Sequence, residues 1–444
     1  MTYTARHVPV HHGPAAWNSI LPDQGLAVPL DHTTTADITI IGGGFAGLST
    51  ARRALQLDPT LKVIILEAGR IAEGGAGRNT GFMIDLPHEL TSEDYAGHGD
   101  DRTLTALNRQ AIAFGRAAVE EYDIDRNFFD PAGKINGAGG PKADRANQSY
   151  AAHLTALGET YERLDAQHMQ EITGSRHYVS GLYTPGTVML QPAGYVRGLA
   201  DGLRADVQIF ENTPALAFAR RGTAWHITTQ GGAIDTGTVI LANNGHLESF
   251  GIAKGRLMHV FLFASMTRPL SDAEQHRLGG QPRWGVTPSD PMGTTLRRID
   301  TGQGGHRIIT RTYASLRSSM QSTQRDIDRA ARLHLRKFNM HFPHLNGVDQ
   351  EHVWAGHLCL SKNNTSLCGP VDEGVYAACV QNGLGTTRGT LTGIAAAEMA
   401  LGTRSDITDY FTAQAKLPAL PPEPLRAIGA NAYLKWQTWR AMSE

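Results

Sequence analysis

The sequence has few cysteines, three in 444 residues, at Cys359, Cys368 and Cys379. They form no C-x-x-C pair and no zinc-ligand spacing, which excludes a disulfide framework and a cysteine-based metal site. A reduced, cytoplasmic chain is the simplest expectation. Neither sign of charge is in excess, with 41 Lys and Arg against 42 Asp and Glu. That removes the basic footprint of a nucleic-acid binder. No apolar run is long enough for a spanning helix, and residues 1–37 lack the apolar core of a signal peptide. There is no internal repeat and no metal motif. His7, His11 and His12 are expected to be solvated in an N-terminal arm. The length exceeds one usual core, so two domains are expected.

Glycine is plentiful, 49 residues, and two of its clusters are ordered. Ile38-Thr39-Ile40-Ile41 is short, apolar and mostly β-branched, and reads as a buried strand. Gly42-x-Gly44-x-x-Gly47 follows at once, with Phe45 and Ala46 inside it. The first glycine permits a tight turn. The second lets backbone approach a pyrophosphate, and the third lets a helix pack on the strand. "LSTARRALQ" reads as that helix, and its N-terminal amides favour phosphate. Residues 62–66 form a second strand, followed by Glu67 and Ala68. A carboxylate at Glu67 accepts from ribose hydroxyls, which favours FAD or NAD over NADP.

"EAGRIAEGGAGRNTGFM" helps decide between those two. It reads as a loop laid along an extended cofactor, with Gly75, Ala76, Thr80 and Gly81 keeping main chain close. Arg78 is expected to face phosphate and Asn79 to bond near a flavin. A plain surface loop is the bland alternative. The second cluster follows a strand at 375–380: Gly383-x-Gly385-x-x-x-Gly389, then an apolar helix. No acid-ended strand comes after it, so a second dinucleotide site is disfavoured. The absence of paired cysteines after the first motif disfavours a disulfide reductase.

"TIIGGGFAGLSTA", "LEAGRIAEGGAGRNTGF", "VILANNGHLESFG", "VWAGHL" and "VQNGLGTTRGTLTGIAAAEMALG" occur in an order that resembles the D-amino-acid-oxidase-like FAD oxidoreductases, most of all the gamma-glutamylputrescine oxidoreductase-like subgroup. The resemblance covers most of the chain. It implies an α/β fold in which a Rossmann-type FAD-binding domain is interleaved with an α+β substrate domain built on an antiparallel sheet. The expected pieces are an arm (1–35), an FAD-binding domain (36–86, 185–250 and 355–405), a substrate domain (87–184 and 251–354) and a helical tail (406–444). The implied activity is FAD-dependent oxidation of a C–N bond in a small amine or amino acid, with oxygen or an electron carrier reoxidising the flavin. A hydroxy-acid or polyol dehydrogenase and a flavoprotein subunit without its own turnover are the alternatives.

By the same resemblance Ala215 contacts adenine and Asn244 lies near the cofactor. The backbone of Leu384, Gly385, Thr386 and Thr387 aims a helix N-terminus at the flavin, stabilising negative charge as it is reduced. Trp354 is a candidate substrate wall or a core residue. His246 and His357 are candidates for handling the amine proton, or structural. Lys362 is a candidate oxygen-assisting lysine, and Cys359 sits where some relatives attach flavin covalently. Its surroundings depart from their pattern, so non-covalent FAD is expected.

Overall fold

The computed structural model describes residues 2–87, 100–290 and 292–441. Residues 88–99, at the head of the expected 87–184 segment, and the last three residues of the tail lie outside the described residues.

The first sheet is organised around the motif strand Thr33–Ile41. Its last four residues are buried because it enters the core between two parallel neighbours, Val63–Leu66 and Ala233–Leu241. Val207–Phe210 extends the parallel array past the first neighbour and Val375–Cys379 past the second. Strands covered on both faces are near-continuous in Val, Ile and Leu, without alternation. The start of Ala233–Leu241 pairs antiparallel with Ala224–Thr228, whose hairpin partner Ala217–Arg221 takes on Thr2–Thr4 of the arm.

The two glycine-motif helices, Phe45–Leu57 and Thr387–Ala400, pack directly on each other. A Cβ on Gly393 would lie 2.2 Å from the Ala46 carbonyl oxygen, and Thr50 Oγ1 donates to the Gly393 carbonyl at 3.0 Å. The helix Asp101–Glu121 joins them: Leu107, Ala111, Ile112 and Val119 share one core with Ile38, Leu48 and Leu391. Here the structure departs from the expected 87–184 substrate block. Amphipathicity marks a buried face on this helix but does not say which sheet supplies the other half of the contact.

Among the described residues the second sheet has eight strands. Their order is Gln350–Ser361, Leu257–Thr267, Arg307–Leu316, Thr295–Ile299, Trp284–Pro288, Lys134–Ala138, Ser180–Thr184 and Glu162–Asp165. All pairs are antiparallel except Trp284–Pro288 beside Lys134–Ala138, the joint between two distant chain segments. Gln350–Ser361 belongs whole to this sheet, so the expected break at residue 354 falls inside a continuous strand. The helix Gln324–His341 starts at a Thr323/Asp326 capping box and buries Ile327, Ala330, His334 and Phe338. The tail holds helices Asp406–Thr412 and Leu425–Arg440. Among the described residues no helix is long and apolar enough to cross a membrane.

The first motif's third glycine carries a fold prediction. A Cβ on Gly47 would lie 1.9 Å from the Gly42 carbonyl oxygen. Ala is favoured over Gly in a helix by about 1 kcal/mol, but a backbone clash of this depth exceeds that gain. Gly47→Ala is expected to lower the melting temperature of the apo-protein, and an unchanged calorimetric transition would contradict the packing.

Candidate cofactor and substrate cavity

A cavity opens in front of the first motif helix. Gly42 holds φ at +114°, which side-chain-bearing residues avoid, and turns the chain along the cavity wall. Gly44 caps the helix with no side chain of its own, and a Cβ there would meet only Ala76 Cβ, at 3.5 Å. The protein leaves that space open. Phe45 and Ala46 line the same wall, while Gly47 lies behind it as the helix–strand contact. Glu67 and Ala68 continue the wall. Glu67 accepts from the Gly43 amide at 2.8 Å and the Gly69 amide at 3.0 Å. Burial pushes its carboxyl up, against the opposing pull of those two amides. Two further lone pairs remain for an incoming donor.

Gly75, Ala76, Asn79 and Thr80 form the next stretch of wall. The Asn79 side chain holds the loop in shape, donating to the Ala76 carbonyl at 2.6 Å and accepting from the Gly81 amide at 2.7 Å. Gly81 itself lies off the wall at φ +81°, with Arg297 Nη1 2.1 Å from where a Cβ would stand. Arg78 corrects the expectation of a phosphate ligand. Its guanidinium is buried and donates to the carbonyls of Glu73, His12, Ala355 and Gly13 at 2.6 to 3.3 Å. Burial lowers its pKa to about 10. It ties the arm, the loop and the second sheet together.

The second motif meets the first across the cavity. Asn244 Oδ1 accepts from the Val380 amide at 3.1 Å, which draws this loop onto the end of Val375–Cys379. Gly383, Leu384, Gly385 and Thr386 line the wall, as do Asn244 and Ala215. Nothing lies within 4 Å of a Cβ on Gly385, a second opening that the protein does not fill. Leu384 corrects one detail, because its amide already donates to the Gln381 carbonyl at 3.1 Å. Thr387 sits behind the wall, its hydroxyl on the Ile84 carbonyl at 3.2 Å.

The far end belongs to the second sheet. Thr287, Thr295 and Arg311 are register partners or near neighbours across adjacent strands. They share the wall with Leu262, Phe82, Ile84 and Lys134. Lys134 Nζ donates to Asn136 Oδ1, which also accepts from Thr287 Oγ1 at 2.9 Å. Burial lowers the Lys134 pKa to about 8, partly offset by Asp85.

Two catalytic candidates are corrected here. Lys362 is exposed on the turn after Gln350–Ser361, away from the cavity. Trp354 is fully buried in the core with its indole on the Arg78 carbonyl at 3.0 Å, so it is no substrate wall. His246 and His357 do line the cavity, rings 5.0 Å apart and edge to face. Burial, with His11, His259 and His7 nearby, lowers the His246 pKa to about 3. Cys359 also reaches the wall, but burial raises its thiol far above the usual range, unlike an activated nucleophile.

Lys134 and Arg311 were not among the residues expected from the sequence, although a lysine in the short strand "KINGA" was a signal. Nor was the course of the arm: His7, Val8, Pro9 and His11 run along the cavity, pinned where the His7 amide donates to Ser249 Oγ at 2.7 Å.

A parallel sheet, a glycine turn, an acid on the next strand and open space at Gly44 and Gly385 define a dinucleotide-binding protein whose cavity is shared with a second, mostly antiparallel sheet. The chain belongs to the DAO family of FAD dependent oxidoreductases, whose match spans residues 37–399. It is 25% identical over 430 residues to the probable oxidoreductase OrdL of Rhizobium meliloti (strain 1021), covering 93% of this chain and 94% of that protein. It is 24% identical over 424 residues to the gamma-glutamylputrescine oxidoreductase of Escherichia coli (strain K12), covering 91% and 93%. The glycine oxidase structure from Geobacillus kaustophilus superposes with a TM-score of 0.68 at 17% identity, over 84% of this chain and 96% of that one. FAD is the cofactor.

Gly44→Val tests the cradle separately from the fold. The apo-protein should still fold, since a Cβ at this position makes only ordinary contact, and it should lose FAD. A fully loaded yellow variant would contradict the assignment.

Proposed function

We propose that the protein oxidises the C–N bond of a small amine or amino acid to an imine, which water hydrolyses, and that the substrate carries an anionic group. The observation that carries this reading is the pair of cations, Lys134 and Arg311, set on the cavity wall by different strands of the second sheet. Cations on a largely apolar wall favour an anionic ligand. The relative named gamma-glutamylputrescine oxidoreductase and the fold neighbour named glycine oxidase support a C–N substrate.

Bound FAD supplies the two-electron acceptor. The chain supplies the rest. The glycine turns admit the cofactor, and Glu67 receives a ribose hydroxyl. The helix beginning at Thr387 offers its N-terminal dipole to negative charge. Lys134 and Arg311 orient the substrate, while Leu262, Phe82 and Ile84 exclude water from the reacting end. Cys359, a protonated thiol, supports FAD held without a covalent bond.

Anaerobic mixing tests the reaction class. Carboxylate-bearing amines or amino acids should bleach the flavin, and 2-hydroxy acids should not. Reversal of that pattern would sink the reading. Lys134 adds a pH signature. Protonated below about 8, it attracts the anionic group and loses that attraction as pH rises through this value. KM should therefore climb above that pH. Lys134→Met should raise KM roughly tenfold, equivalent to ~1.4 kcal/mol, and abolish the climb. A variant with the wild-type KM profile would remove Lys134 from the substrate site.

A further inference from the structure

Glu248, His259 and His357 form a hydrogen-bonded line from the protein surface to the cavity. Glu248 lies on the turn Asn244–Phe250 with its side chain 15% exposed. Its Oε2 is 2.8 Å from His259 Nε2, and its other oxygen accepts from the Gly255 amide at 3.0 Å. His259, on Leu257–Thr267, is almost wholly buried, and its Nδ1 is 3.1 Å from His357 Nε2. His357, on the neighbouring strand, lines the cavity beside the Gly75 loop.

The carboxylate sets the direction of every proton along this line. Burial would raise the Glu248 carboxyl, but the His259 and Gly255 hydrogen bonds outweigh it and keep the group ionised. An ionised carboxylate only accepts. His259 therefore carries its proton on Nε2 and presents a lone pair at Nδ1. That lone pair takes the Nε2 proton of His357 as a hydrogen bond. His357 is left with a bare Nδ1, and of the three groups it alone lines the cavity. The surroundings do not compete for its proton. Phe261 stacks on the ring at 5.0 Å, and His246 stands edge to face against it. Burial keeps both His246 and the Cys359 thiol uncharged. His11 of the arm adds to the lowering of His357, so charge does not rest there.

We propose that Glu248, His259 and His357 form a proton exit that strips the substrate ammonium before oxidation. The inference rests on the amine reading above. An N–H bond of the ammonium breaks and the proton moves to His357 Nδ1. The Nε2 proton of His357 passes to His259 Nδ1, and that of His259 Nε2 passes to Glu248 Oε2, which releases it to solvent. The amine keeps its electron pair, and no oxidant takes part in this step. His357 is the group at the cavity, and His259 and Glu248 act through it as positioning residues.

The FAD-loaded protein is compared with its Glu248→Gln and Glu248→Asp variants. Ring-nitrogen NMR should show His357 protonated on Nε2 and bare on Nδ1 in the wild type, with Asp preserving this order and Gln disturbing it. Anaerobic flavin bleaching by an amine substrate should be at least tenfold slower in Glu248→Gln near neutral pH. The deficit should close as pH approaches the amine's own pKa, because free amine needs no proton removed, and Glu248→Asp should restore most of the rate. A deficit equal at every pH, no deficit, or a His357 proton on Nδ1 in the wild type overturns the exit. A flavin that no amine bleaches at any pH overturns the amine reading instead, and the ring-nitrogen spectra still decide the proton order.

Discussion

Close approach of backbone to backbone at a few glycines is the constraint on which the rest depends. Gly47 lies against the Gly42 carbonyl, Gly393 against the Ala46 carbonyl, and Gly389 against Phe45 Cβ. The first two contacts are too short for a side chain, and the third is tight. Together they bring two helices from opposite ends of the chain onto one parallel sheet with their N-termini at one cavity. Gly44 and Gly385 then play a different part. They are bare where no protein atom presses on them, and the space in front of them stays open to the cavity.

Charge inside the molecule follows the same economy of contacts. Arg78 is buried and satisfied by four carbonyls, so it is structural despite its place in a cofactor loop. Lys134 is just as buried, but its charge faces the cavity and is only partly answered, by Asn136 and by the field of Asp85. A buried cation costs free energy unless something compensates it, and the anionic substrate group proposed above would do so at the moment of binding. The histidines beside the cavity obey the opposite logic. Burial keeps His246 and His357 neutral, which suits groups that pass protons without holding them.

Sequence and structure agree most where the signal was local. The strand ending at Ile41, the glycine turn, the helix, the second strand and the acid at Glu67 stand as expected. Disagreement gathers where a side chain could point two ways. Lys362 and Lys134 were both lysines in strand-rich surroundings; one follows a strand into a solvent turn and the other sits on a strand buried at all five positions. Trp354 follows the same rule, its indole drawn to the Arg78 carbonyl and away from the cavity.

The residue order by itself determined the dinucleotide motif, whose spacing lies within a short window where backbone geometry leaves few alternatives. The flavin and a second domain on an antiparallel sheet were implied by the resemblance of several motifs spread along the chain. Only the tertiary structure decided which charges reach the cavity, which histidines join into a line, and that the arm runs along the site. Those depend on partners tens or hundreds of positions away, brought together by packing that no local pattern records.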